Sequence, residues 1–170
     1  MLRGLMAGVV FAATFASSAA VAQPPMSAQD FVSAAAQSDQ FEIQAGRVAA
    51  VQAIDPRVRS FAQQMVDEHT RTSRTLEEAA AASGLPPPPK SVGGDQQRML
   101  NALQSLKGAE FTRTYVKQQV MAHTQALVVE QGYAASGADP NLRQVAQSAV
   151  PLIQHHLEMA RQLRSAVGGS

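Results

Sequence analysis

Asp55-Pro56-Arg57-Val58-Arg59-Ser60-Phe61-Ala62-Gln63 returns further along the chain as Asp139-Pro140-Asn141-Leu142-Arg143-Gln144-Val145-Ala146-Gln147. Both stretches open with Asp-Pro, place an aliphatic residue and then Arg behind it, and close on Ala-Gln. Asp accepts hydrogen bonds from the free amides of a helix start, and Pro fits the first helical position, where its missing N–H costs nothing. Each stretch therefore predicts the beginning of a helix. The segments ahead of them also correspond, with Asp30-Phe31 aligning to Glu110-Phe111. A duplicated helical hairpin accounts for the pattern, and two such hairpins pack as a four-helix bundle with one longer crossover.

Working outward, the first helix is predicted from Ser27 to Ala53. Ser27 is its cap, Asp30 lies in the positive first turn, and Phe31, Ala35, Ser38, Phe41, Glu42, Ala45 and Val48 form its stripe. The second helix runs from Asp55-Pro56 to Ser83-Gly84, with Val58, Phe61, Met65, His69 and Leu76 inward. Leu85-Pro86-Pro87-Pro88-Pro89 and Gly93-Gly94 then break the helical pattern, and the prolines favour an extended spacer. A short helix follows from Asp95 to Leu106, with Met99, Leu103 and Leu106 on one face. The third long helix covers Ala109 to Tyr133, and the fourth runs from Asp139-Pro140 to Val167, with a kink expected at Pro151. The fold class is thus all-α: a four-helix bundle of two duplicated hairpins, joined by a Pro-rich crossover with a short extra helix.

The 170 residues suit one domain, and 45% apolar content is enough to fill its core. With no cysteine in the chain, disulfides, thiolate catalysis and cysteine-ligated metal are excluded. Arg3, the apolar stretch Leu5 to Phe15 and the Ala20-Val21-Ala22 site read as a signal peptide over residues 1–22, with the bundle domain over 23–170. The expected location is periplasmic or secreted, with no transmembrane span in the mature chain. Without Arg3, 13 of the 14 basic residues remain against 13 acidic ones. A balanced chain with no basic patch argues against nucleic acid as a partner, because phosphate neutralisation supplies most of that affinity. An envelope protein partner fits this reading better, and the oligomeric state stays open.

A family resemblance rests on Phe31; Glu42-Ile43 with Gly46; Arg59-x-Phe61-Ala62-x-x-Met65-Val66-x-x-His69; Phe111-x-x-x-Tyr115; His123; and Leu152-x-x-x-His156-Leu157. In these positions the chain resembles DUF4142, a family of exported ferritin-like proteins of unknown function. The resemblance implies a ferritin-like bundle and an exported location. It implies no reaction.

Four polar residues stand out because they sit on apolar stripes: Glu42, His69, His123 and His156, one on each long helix. At 1.5 Å per residue, each lies roughly 20–25 Å along its helix, near mid-bundle. Two readings follow. A structural hydrogen-bond network would use the four to set helix register. A divalent-metal or copper site would use imidazole and carboxylate as ligands. Glu-x-x-His is absent, so the di-iron carboxylate site built on other bundles is not expected. No nucleophile elbow, phosphate cradle or catalytic residue is legible, and the cofactor is left open, with a divalent ion at the cluster as the candidate. The expected function is a non-enzymatic envelope interaction or structural module. The alternative is a periplasmic metal-binding or metal-sensing protein acting through the mid-bundle cluster. The charged positions Asp67, Glu68, Arg71, Arg74, Glu77 and Glu78 read as solvated surface.

Overall fold

The computed structural model describes residues 26–168 and contains five helices in that span: α1 Ala28–Gln52, α2 Pro56–Ala82, α3 Gly94–Ser105, α4 Gly108–Ser136 and α5 Pro140–Gly168. The predicted signal peptide and the start at Gln23 lie outside the described residues. Among the described residues, no helix is long and apolar enough to cross a membrane.

The helix starts follow the predicted chemistry. Ser27 accepts a hydrogen bond from the Asp30 amide at 3.1 Å, Asp55 from the Arg57 amide at 2.8 Å, and Asp139 from the Leu142 amide at 2.9 Å. The repeated Arg has a role the sequence did not show. Arg59 donates from one guanidinium nitrogen to the carbonyls of Ala53 and Ile54, six and five residues back. Arg143 does the same to Gly137 and Ala138. Ala53 and Gly137 close α1 and α4, so each Arg places a cation on the orphan carbonyls that end the preceding helix. The repeat is a turn clamp, and it explains why Arg recurs beside Asp-Pro.

Helix α2 ends in a Schellman turn. The Leu85 amide bonds the Ala80 carbonyl at 2.9 Å, the Gly84 amide bonds Ala81 at 3.0 Å, and Gly84 takes the left-handed φ of 67° that the motif requires. Ser83, the residue that caps α2, donates to Asp139 at 2.9 Å, so the end of α2 is tied to the start of α5. On α3 the buried residues are Leu100 and Leu103, while Met99 and Leu106 pack from the edge. The expected face is therefore rotated by about one residue. Helix α5 continues through Pro151.

The tightest pairings are α1 with α2 and α4 with α5, the two predicted hairpins, and the hairpins meet through α1 with α4 and α2 with α5. The core falls into two apolar blocks. One gathers Phe41, Phe61, Met65, Leu103, Phe111 and Tyr115; the other gathers Phe31, Leu76, Tyr133 and Leu142. Between them, on all four long helices, lies a buried polar belt that includes Asp39, Glu42, His69, Gln119, His123, Glu130 and His156.

Candidate metal centre

His69, His123 and His156 meet in the belt. They come from α2, α4 and α5, and all three residues are 0–3% exposed. The ring centroids stand 5.6 Å apart for His69–His123 and 5.3 Å for each of the other pairs, close to an equilateral triangle. One ring nitrogen from each falls within 4.8 Å of the others.

The opposite nitrogen of each ring is held by an acceptor. His69 Nδ1 meets Asp39 Oδ1 at 2.8 Å, and Thr72 donates to the same oxygen at 2.9 Å. His123 Nδ1 meets the Gln119 carbonyl at 2.9 Å, one turn back on α4. His156 Nε2 meets Glu68 Oε2. Carbonyl and carboxylate oxygens accept, so these ring nitrogens carry the protons. His69 Nε2, His123 Nε2 and His156 Nδ1 are left over, all buried and without a hydrogen-bond partner among the described residues.

Glu42 sits beside the triad. Its Oε1 is 3.7 Å from His123 Nδ1, the nitrogen already committed to Gln119, and its Oε2 accepts from Gln119 Nε2 at 2.6 Å. It thus faces the back of His123 rather than the bare nitrogen. The structure brings three of the four predicted side chains into one triangle and puts the fourth behind it. Asp39, Glu68 and Gln119 are contacts that the sequence reading missed. Glu68 is not plain surface: it is partly buried against His156 while also pairing with Arg71 at 3.5 Å. Its position next to His69 was the available signal, because adjacent helix positions point about 100° apart and so can reach different neighbouring helices.

Electrostatics divides the triad. Burial pushes His123 down to about 3, helped by the charge on His69. Burial likewise pushes His156 down to about 4, against the pull of Glu68. Both are neutral near pH 7, with lone pairs free. Burial would lower His69 too, but the Asp39 hydrogen bond and the charges of Asp39, Glu42 and Glu68 outweigh it and hold the ring above its ordinary value. Glu42, pushed up to about 7 by burial and restrained by His69 and Gln119, is half-ionised near neutrality.

The model of the family Domain of unknown function (DUF4142) matches residues 13–163. The chain belongs to this family. Among solved structures, this DUF4142 protein is similar to CopM in the Cu(II)-bound form, at 15% identity and a TM-score of 0.72, covering 84% of this chain and 99% of that one. It is similar also to a DUF305 fragment from Deinococcus radiodurans (17% identity, TM-score 0.69, 86% and 100% covered). A putative secreted DUF305 protein from Streptomyces coelicolor matches at 14% identity and a TM-score of 0.68, with 84% and 94% covered. At these identities the DUF4142 chain shares the helical-bundle fold with them. No curated protein matches its sequence significantly.

Proposed function

We propose that this protein is an exported metal-binding bundle whose ligands are His69 Nε2, His123 Nε2 and His156 Nδ1, with copper(II) the ion held most tightly and zinc the competitor. One observation carries the reading: three buried histidines meet with one ring nitrogen from each within 4.8 Å of the others, and each ring has one nitrogen held by an acceptor and one without a partner among the described residues. A structural network should satisfy its buried atoms, since an orphaned polar group costs about 1–3 kcal/mol. Three such orphans in one cluster favour an ion in their midst. The acceptors behind the rings also match the way ligating histidines are oriented, by a carboxylate or carbonyl on the far nitrogen. Three imidazoles with no thiolate suit copper(II), which heads the divalent order, and zinc, which takes three histidines plus water. Metal–nitrogen bonds of about 2 Å need the nitrogens roughly 3.4 Å apart, so binding draws the three rings together. The fold shared with CopM is compatible with copper and adds no ligand to the argument. The leader over 1–22 would deliver the bundle, residues 23–170, outside the cytoplasm, and an intact mass beginning at Gln23 in exported material tests that part.

Calorimetric titration of the untagged mature protein with Cu(II) and Zn(II) tests the site. One ion per chain, a raised melting temperature and a nitrogen-rich Cu(II) resonance spectrum are expected, because an ion that binds only the folded state stabilises it by mass action. His123→Ala and His156→Ala should abolish the rise. A melting temperature indifferent to either ion would return the cluster to a structural role.

A further inference from the structure

A cavity of about 160 Å³ opens to solvent between α2 and α5, past the exposed Arg71, Thr75 and Ser148, and reaches inward to α1 and α4. Its walls are mostly oily. Leu76, Val145, Leu152 and Ile153 line it, and the small Ala126 and Ala149 leave the space open. The charges in the wall are already answered. Asp39 Oδ1 accepts from His69 at 2.8 Å and from Thr72 at 2.9 Å, and Arg71 pairs with Glu68 at 3.5 Å. Glu130 is the exception. It also lines the cavity, is 6% exposed, and its Oε2 has no hydrogen-bond partner among the described residues. Burial and then the charge of Asp39 push it up to about 8, so near pH 7 the carboxyl keeps its proton. A protonated carboxyl offers one O–H to donate and oxygen lone pairs to accept. Buried groups of this kind are normally matched. The chamber thus combines apolar walls, balanced charge and one unmet hydrogen bond.

We propose that this cavity is a binding site for a small uncharged alcohol or phenol, its apolar body against α2 and α5 and its hydroxyl on the Glu130 carboxyl. The size fits, since an apolar cavity of about 150 Å³ takes in a benzene ring. The charge fits too. An anion or an ammonium ion would find Asp39, His69 and Arg71 already paired, and would leave its own charge unanswered in a poorly hydrated space. A hydroxyl both donates and accepts, as the Glu130 carboxyl does. Water could match that carboxyl as well, but it would leave the oily walls wet, and covering them is what favours an apolar body. The site needs no metal ion and stands apart from the three-histidine reading.

Amide-resolved NMR titration of the mature protein at pH 7, with a chelator present, tests the site. The probes are phenol, toluene as its partner without a hydroxyl, and the charged benzoate and benzylammonium ions. Phenol should saturate one site and shift the amides of Leu76, Val145 and Ile153. Toluene should bind there about tenfold more weakly, the worth of one hydrogen bond, and the two ions should not bind. Glu130→Leu should erase the preference for phenol over toluene, whereas Glu130→Gln, which still donates and accepts, should keep it. Ala149→Leu fills the cavity and should abolish both. Should Ala149→Leu fail to fold, the two Glu130 variants decide. No saturable shift with phenol, or shifts away from these amides, would overturn the proposal. So would equal affinity for phenol and toluene in the unaltered protein, or an ion that binds as tightly as phenol. Because no metal is present, failure here leaves the three-histidine reading standing, and failure of the copper titration leaves this site standing.

Discussion

Glu130 is a carboxyl group placed where its charge is unwelcome. Burial first, and then the charge of Asp39, push it up to about 8, against the opposing pull of His69. Its folded value exceeds its unfolded one, so the native state holds the extra proton between about pH 4.5 and 8, and stability falls as pH rises through that window. Glu130→Gln should flatten this slope and raise the melting temperature at pH 8, by an amount on the order of 3 kcal/mol in unfolding free energy. Thermal melts of both proteins from pH 5 to 8.5 measure it, and parallel curves would contradict it. Behind the triad, Asp39→Ala and Glu68→Ala should each weaken ion affinity about 10–100-fold, because they release rings that the carboxylates orient. Calorimetry reads that loss directly. At this scale the sequence was partly legible. A histidine on an apolar stripe announces burial, which is why His69, His123 and His156 could be picked out. Their acceptors could not, since Asp39 and Glu68 look like ordinary helix-surface acids until the neighbouring helix is in place.

Among the elements, α1 and α2 approach each other closely at Gly46. A Cβ there would stand 2.8 Å from the Ala62 carbonyl and 2.9 Å from a Val66 methyl. One of these is backbone and cannot swing aside, so Gly46→Ala should push the helices apart and cost about 1–3 kcal/mol. Urea denaturation measures the loss, and an unchanged midpoint would show that the hairpin has slack. The Arg clamps make a paired prediction: Arg59→Ala and Arg143→Ala should each lower stability by about 1 kcal/mol through the loss of a cation at a helix C-terminus. Helix boundaries were legible because capping is local chemistry. Ser27, Asp55, Pro56, Asp139 and Pro140 act within one turn of themselves. The register of α3 was not legible, because the burial of Leu100 rather than Leu106 depends on how the crossover lays that helix across α1 and α4, which no local pattern encodes.

Across the whole molecule, the triad draws His69 from the first hairpin and His123 and His156 from the second. An ion held by all three bridges the duplicated halves, which in a chain without cysteine have no covalent link beyond the backbone crossover. Loading should therefore slow limited proteolysis in the Leu85–Gly93 crossover, where a nick would otherwise free the hairpins; equal cleavage rates with and without ion would argue against a bridge. The belt has a consequence of another kind. By parting the interior into two oily blocks of unequal size, it leaves no continuous core to make the bundle open all at once. The smaller block, around Phe31, Leu76, Tyr133 and Leu142, should release its amides to deuterium exchange at a lower free energy than the block around Phe61 and Tyr115. Two tiers of protection, merging toward one as the belt is pinned, would make the middle of this protein the place where its cooperativity is set.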